Sequence, residues 1–257
     1  MINNCLTGCL DLVSGGQLRI GSKTVNHESS LVLVPGLLCD EDLWFDQIRS
    51  LSNVTKISVA DTLSDDSIIE MAARLLANAP AEFALAGLSM GGYVALEVMR
   101  QAPQRVTRLA LLSTNAQQDD AEKSRIRKGL IALAEKGKFK GVSPRLLPML
   151  LHESQLNDSV LCNRVVKMAA RVGKDCFVRQ QKAIMSRSDS RKNLHLIKVP
   201  TIVICGREDL LTNLSQHEEL AKIIPGAELK VIDHCGHLPT MEHPHEVTLL
   251  LRSWMLR

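Results

Sequence analysis

The chain is poor in aromatics, with four Phe, two Trp and one Tyr in 257 residues. Its core must then be built from Leu, Ile, Val and Ala. Long apolar runs are missing as well. None approaches the ~20 residues that a membrane-spanning helix needs, so no membrane span is expected. The N-terminus has no charged segment leading into an apolar run, which argues against a secretory signal. There is no internal repeat and no low-complexity segment. Charge of one sign is lacking too: 31 Lys and Arg stand against 28 Asp and Glu, a net charge of +3. The densest basic run, Lys123-Ser124-Arg125-Ile126-Arg127-Lys128, lies beside acidic residues in a helical pattern. It reads as a solvated helix face, so no nucleic-acid partner is expected. The seven cysteines form no metal-ligand spacing, and Cys5 and Cys9 hold one residue too many for C-x-x-C. Reduced thiols in a cytoplasm are the simplest account, the cysteines serving as small core residues.

What is present is an alternation. Short apolar runs bounded by Gly or Pro fall at 31–34, 56–59, 83–87, 109–113, 201–205 and 229–233. Runs of this kind suit parallel strands covered on both faces. Helical patterns at about 41–51, 66–78, 91–101, 215–224 and 244–256 fall between and after them. The rhythm predicts an α/β protein with a mostly parallel sheet. Cys9–Val13 and Gln17–Ile20 flank Ser14-Gly15-Gly16 and suit a hairpin. From about 116 to 193 the rhythm stops. Helical stretches near 119–136, 143–152, 155–172 and 174–187 follow one another without a strand, punctuated by Gly137, Gly141, Pro144, Asn157 and Gly173. This predicts an all-helical insertion, 116–193, within a core made of 1–115 and 194–257.

The chemistry begins at Gly87-Leu88-Ser89-Met90-Gly91, a G-x-S-x-G pattern between a strand signal and a helix signal. That context forces a sharp turn, and small residues on either side of the serine let strand and helix approach. The Ser89 hydroxyl would project at a helix N-terminus, where developing negative charge is favoured. A serine needs a base. His237, in Asp233-His234-Cys235-Gly236-His237 beyond the last strand signal, is the best of eight histidines, with His234 as local rival. His243 and His245 read as surface residues, and His27, His152, His195 and His217 as structural ones. The base needs an acid to set its tautomer. Asp209, after the strand signal 201–205, is preferred to the adjacent Glu208. Parallel strands end on one edge of a sheet, so all three loops can meet. One oxyanion donor is the backbone N–H of Met90. The other should come from Pro35-Gly36-Leu37-Leu38, with Leu37 preferred and Leu38 its rival.

With Pro35-Gly36-Leu37-Leu38, Gly87 to Gly92, Gly206-Arg207-Glu208-Asp209 and Gly236-His237-Leu238-Pro239-Thr240-Met241-Glu242-His243-Pro244, the chain resembles the α/β-hydrolase superfamily. Within it the look is that of small capped bacterial carboxylesterases, the neighbourhood of pimeloyl-carrier-protein methyl ester esterases and enol-lactone hydrolases. The resemblance implies an eight-stranded, mostly parallel sheet flanked by helices, with a helical cap inserted after strand six. It implies a Ser-His-Asp triad of Ser89, His237 and Asp209, an acyl-enzyme, and no metal or cofactor. Pro35 stands where many relatives have His, while Gly36 is kept. Relatives that cleave alkyl halides or epoxides use an aspartate where this chain has Ser89, and perhydrolases often carry an aromatic residue at the place of Leu37.

The expected substrate is a small or medium apolar ester. Leu146, Leu147, Met149, Leu150 and Leu151 form a dense apolar cluster within the insertion. Core packing is the first expectation for each of these, since an amphipathic helix buries one face; Leu146, Leu147 and Leu150, with Leu38 and Leu238, are also candidates for the substrate pocket. A carbon–carbon bond hydrolase or lyase on the same scaffold is the alternative, and a non-catalytic ligand-binding member of the fold is a third reading.

Overall fold

A computed structural model describes residues 30–257. The hairpin expected over 9–20 lies outside them, as do Cys5, Cys9 and His27. Each apolar run from residue 30 onward forms a strand: β1 (Ser30–Val34), β2 (Lys56–Val59), β3 (Phe83–Leu88), β4 (Val106–Leu112), β5 (Thr201–Gly206) and β6 (Glu228–Ile232). They pair in parallel in the order β2-β1-β3-β4-β5-β6. The sheet therefore has six strands among the described residues, not eight. The reason is plain in the chain: these residues contain six runs of strand character, and all six are used.

The helices come where the 3.6-residue pattern predicts, except for a four-residue turn at Pro239–Glu242 that it does not signal. These are α1 (Phe45–Leu51), α2 (Ile68–Asn78), α3 (Met90–Gln101), α4 (Ala121–Leu133), α5 (Leu147–Leu150), α6 (Ser159–Ser186), α7 (Leu214–Ile223), α8 (Pro239–Glu242) and α9 (Pro244–Leu256). Successive strand residues point to opposite faces of the sheet. Leu31, Leu33, Ala84, Ala86, Ala110 and Leu112 pack in one cluster with Leu51 of α1 and Val247 and Leu251 of α9. Val32, Val34, Phe83, Leu85, Leu109 and Leu111 pack in a second with Met71 of α2, Val94 of α3 and Leu220 of α7. Both faces are covered, as continuous apolar strands require.

No strand occurs between 116 and 193. The helices there differ from expectation in one place. The stretch 143–152 is a single 3-10 turn, Pro144–Leu146, followed by the four residues of α5. Pro144 and Pro148 each open a turn, and Leu151 is already extended, so the helix cannot lengthen. Gly173, at φ 78°, interrupts α6 where the sequence separated two helices. Leu147, Leu151, Leu161, Val165, Met168 and Phe177 join the cluster on the Leu31 face. Arg171 bonds Asp40 and Asp42 at 2.8 and 3.0 Å, and Arg164 bonds Asp42 at 3.0 Å, tying α6 to the loop after β1. Among the described residues no helix is long and apolar enough to cross a membrane.

Candidate active site

The order of strands switches at β1: the chain adds β2 on one side of it and β3 on the other, all running parallel. The crevice at the carboxyl ends of such strands is where α/β proteins bind ligands. Ser89 sits there, between β3 and α3, with φ 56°. A non-glycine residue seldom adopts that left-handed backbone, and the surroundings must enforce it. A Cβ on Gly91 would lie 2.1 Å from the Val34 carbonyl oxygen, and one on Gly87 would lie 2.2 Å from that of Gly91. Glycine at both positions lets β1, β3 and α3 close on the turn. The Ser89 N–H donates to the Leu112 carbonyl at 2.9 Å, and Thr114 Oγ1 donates to the Ser89 carbonyl at 2.8 Å. Thr114 is fixed in turn by His217, whose Nε2 accepts its N–H at 2.9 Å. Accepting at Nε2 leaves the proton on Nδ1, facing the Asn213 carbonyl at 3.0 Å. Burial favours this neutral form and lowers the His217 pKa.

Two further loops on the same edge converge on Ser89. His237 Nε2 is 3.0 Å from Ser89 Oγ. On its other side, Nδ1 is 2.9 Å from Asp209 Oδ2 and 3.0 Å from Oδ1. Asp209 and His237 are both buried. Asp209 also accepts the Leu211 and Thr212 N–H groups at 2.8 and 2.9 Å and the Thr212 hydroxyl at 2.7 Å. Burial works against its charge. The opposing pull of His237 and these hydrogen bonds is stronger and holds the carboxyl at about 2. Glu208 is turned the other way, its Oε2 accepting the Cys235 N–H at 3.1 Å. His234 is exposed, and its carbonyl accepts from His243 Nε2 at 3.0 Å.

Glu242 has no role in the sequence reading, although it lies within the quoted Gly236–Pro244 stretch. Its buried carboxylate accepts the N–H groups of Gly236 at 3.1 Å, Leu238 at 3.0 Å and His152 at 2.7 Å. It thereby orders the backbone on both sides of His237 and joins it to the helical stretch. The His237 N–H adds a bond to the Leu150 carbonyl at 2.9 Å. The spacing of five from His237 was the available signal, but nothing local says that a glutamate there faces inward.

On the opposite side lies the loop after β1. The Leu38 N–H donates to Gln180 Oε1 at 3.0 Å. The Leu37 N–H has no acceptor among the described residues. Met90 opens α3, so its N–H has no acceptor within the helix. Both loops border a cavity of about 620 Å³, within the usual range for small-molecule sites. Leu37, Leu38, Ser89, His237, Leu238, Leu146 and Leu150 all line it. Leu147 does not: α5 turns it into the core, where it is buried with Leu151. One turn of helix cannot point four successive apolar residues the same way. Phe139, Phe177, Met149 and Met168, from the helical stretch, complete much of the apolar wall.

Among the described residues, His152, Glu208 and His234 form the one His, Cys, Asp or Glu grouping of metal-binding size, their ligand atoms lying within 4.8 Å of one another. Glu208 is engaged by Cys235 and His152 Nδ1 by Ser154, at 2.8 Å from its Oγ. All five described cysteines are free thiols. Burial raises the thiols of Cys39 and Cys205 to about 12, so neither is a thiolate near neutrality.

A serine on a sharp strand-to-helix turn of a parallel sheet, hydrogen-bonded to a histidine and then an acid from later strand ends, is the arrangement found in α/β-hydrolases. The sequence profile of the alpha/beta hydrolase family matches residues 31–248, and this chain belongs to that family. It is a hydrolase, as relatives over nearly its whole length are. The pyrrolizixenacetamide deacetylase of Xenorhabdus hominickii is 30% identical over 267 residues, spanning 93% of this chain and 97% of its own. The pimeloyl-[acyl-carrier protein] methyl ester esterase of Nitrosomonas europaea is 24% identical over 240 residues, spanning 87% and 94%. A thermophilic esterase from Thermogutta terrifontis superimposes with a TM-score of 0.80 at 26% identity, covering 88% of this chain and 89% of its own.

Proposed function

We propose that this hydrolase is a serine carboxylesterase in which Ser89 is the nucleophile, His237 the general base and Asp209 the acid that orients it. The observation that carries this reading is the unbroken relay from Ser89 Oγ through His237 to Asp209, at 3.0 and 2.9 Å, on the wall of an apolar cavity. His237 takes the hydroxyl proton as Ser89 Oγ attacks the ester carbonyl. Asp209 stabilises the imidazolium that forms. The amides of Leu37 and Met90 receive the oxyanion, and each such donor is worth about 3 kcal/mol in a hydrolase. Leu37 is preferred to Leu38 because the Leu38 N–H is already given to Gln180. His237 then protonates the departing alcohol, and water activated by the same residue releases the acid.

In this reading, residues 116–193 are a cap on a core of 1–115 and 194–257. Support comes from α4, α5 and α6, which supply the cavity wall opposite Ser89. The substrate is a small or medium ester held by Leu38, Leu146, Leu150 and Leu238. Free cysteines fit a reducing compartment such as the cytoplasm. A carbon–carbon hydrolase would use the same three residues. The esterase and deacetylase relatives favour the acyl-transfer reading.

Ser89→Ala should lower the turnover of p-nitrophenyl esters about 10⁶-fold while circular dichroism and melting stay native. A fluorophosphonate should label Ser89 alone. Ester turnover that survives the substitution would refute the assignment. Cleavage of a vinylogous diketone without any ester turnover would move the activity to the carbon–carbon class.

A further inference from the structure

The cavity wall has an asymmetry of charge. Its charged side chains are Lys123, Arg127, Lys138 and Lys140, and no carboxylate lines it. Two of these cations have acidic partners. Arg127 bonds the buried Asp119 at 2.6 Å, and Lys123 stands 3.9 Å from Asp120. Lys138 and Lys140 have no acidic partner among the described residues. Both belong to a short segment between Gly137 and Gly141, each in the left-handed region at φ 75° and 59°. Phe139, between them, is half-buried against Phe177, with ring centroids 5.2 Å apart. The segment thus plants one aromatic ring in the apolar wall and leaves an exposed lysine on each side of it, at the edge of the same cavity.

We infer that Lys138 and Lys140 form an anion-recognition site, so that the substrate is an ester with an apolar chain and a carboxylate or phosphate remote from the scissile bond. This deepens the esterase reading and rests on it. Apolar walls bind the chain but do not orient it. Two unanswered cations at the rim do, since their field is felt within a Debye length of about 10 Å and draws an anionic group to the mouth. An ester with a cationic terminus is repelled by the same field. The ligand is a single molecule inside a concave cavity rather than a lipid surface, because the cations line the cavity itself.

The test compares three esters with a common leaving group and chain length: p-nitrophenyl hexanoate, the mono-p-nitrophenyl ester of adipic acid, and p-nitrophenyl 6-aminohexanoate. The hexanoyl ester of 4-hydroxybenzoate, set against that of methyl 4-hydroxybenzoate, places the anion on the alcohol side. At low salt kcat/KM should favour an anionic ester over its neutral analogue by about tenfold, and whichever pair shows it assigns the acyl or alcohol side. The ratio should shrink in about 0.5 M NaCl. It should fall to near one in the K138E/K140E variant, or in K138Q/K140Q should the reversal not fold. Lys128→Glu, on an exposed part of α4 outside the cavity wall, should leave the ratio unchanged. Ratios blind to charge, a preference for the amine, a preference that survives K138E/K140E, or one that appears only with esters in anionic vesicles would each overturn the site. A readout free of turnover separates this from failure of the esterase reading. By calorimetry, Ser89→Ala should bind octanoate about tenfold more tightly than octanol, and K138E/K140E in that background should abolish the difference.

Discussion

At the carboxyl edge of the sheet, one methyl group has no room. A Cβ on Gly91 would meet Val34, and one on Gly206 would meet the Cys235 carbonyl oxygen at 2.2 Å. In the helical stretch 116–193 the reverse holds: a Cβ on Gly129, Gly137 or Gly173 has nothing within 4 Å. The edge is held by hydrogen bonds whose partners lie far apart in the chain, such as the part-buried contact of His237 with Ser89 and the buried one from Thr114 to His217. The helical stretch keeps Leu130, Leu133, Leu146 and Met149 exposed beside the cavity. One region is tightly packed and brings Ser89, His237 and Asp209 together. The other is open and, in the proposed reading, governs what can reach them. Chemistry that needs positions within fractions of an ångström belongs on the first, and selectivity by shape and charge can sit on the second.

Substitutions can break this contrast, and the largest effect should fall on the relay. Asp209→Asn should reduce kcat about 10⁴-fold by leaving His237 in the wrong tautomer, with little change in KM. The same substitution should alter acid stability. The folded carboxyl is held at about 2, below its unfolded value of about 3.9. Its contribution, on the order of 2 kcal/mol, is therefore complete above pH ~4 and is lost as pH falls through the folded value. Chemical denaturation from pH 5 to 2 should show that slope in the native chain and a flatter one in the variant. It follows that any loss of activity between pH 5 and 7 does not come from protonation of Asp209.

Gly91→Ala should cost about 3 kcal/mol or more, because the methyl meets backbone rather than a movable side chain. A melting temperature within 2 °C of native would show that the edge yields to a methyl group. Glu242→Ala tests the joint between the two regions. It strips the acceptor from the N–H groups of Gly236, Leu238 and His152 and should cost about 2–3 kcal/mol. Ester turnover should fall with it, since the His237 backbone loses its anchor. Stability lost with kcat intact would mean that Glu242 serves the fold alone. The smallest effect should come from Gly129→Ala. This exposed site within α4 should gain about 0.5–1 kcal/mol in urea unfolding without a change in kcat/KM.

The contrast also accounts for what could be read along the chain. Strand and helix positions were legible because both depend on local periodicity. The strand expected at 109–113 forms as Val106–Leu112, and the helix expected at 91–101 as Met90–Gln101. The count of eight strands came from likeness to other proteins rather than from runs in this chain, and six are described. The stretch 143–152 misled for the opposite reason. Its apolar density resembles one amphipathic face, but Pro144 and Pro148 divide it into single turns, and Leu147 goes to the core while Leu146 and Leu150 reach the cavity. Thr114, His217 and Gln180 had no signal at all, and Glu242 had only its spacing from His237. Their roles depend on what lies across from them, and no spacing in the sequence encodes that.

That Ser89, Asp209 and His237 would meet could be foreseen without coordinates because each follows an apolar run, and parallel strands deliver their ends to one edge. That is a consequence of backbone periodicity and chain order. The distances between them, the turning away of Glu208 toward Cys235, the occupied amide of Leu38 and the cations lining the cavity arise only when segments from 27 to 148 residues apart are packed together. Those features depend on which groups face one another in three dimensions, and local sequence carries no record of it.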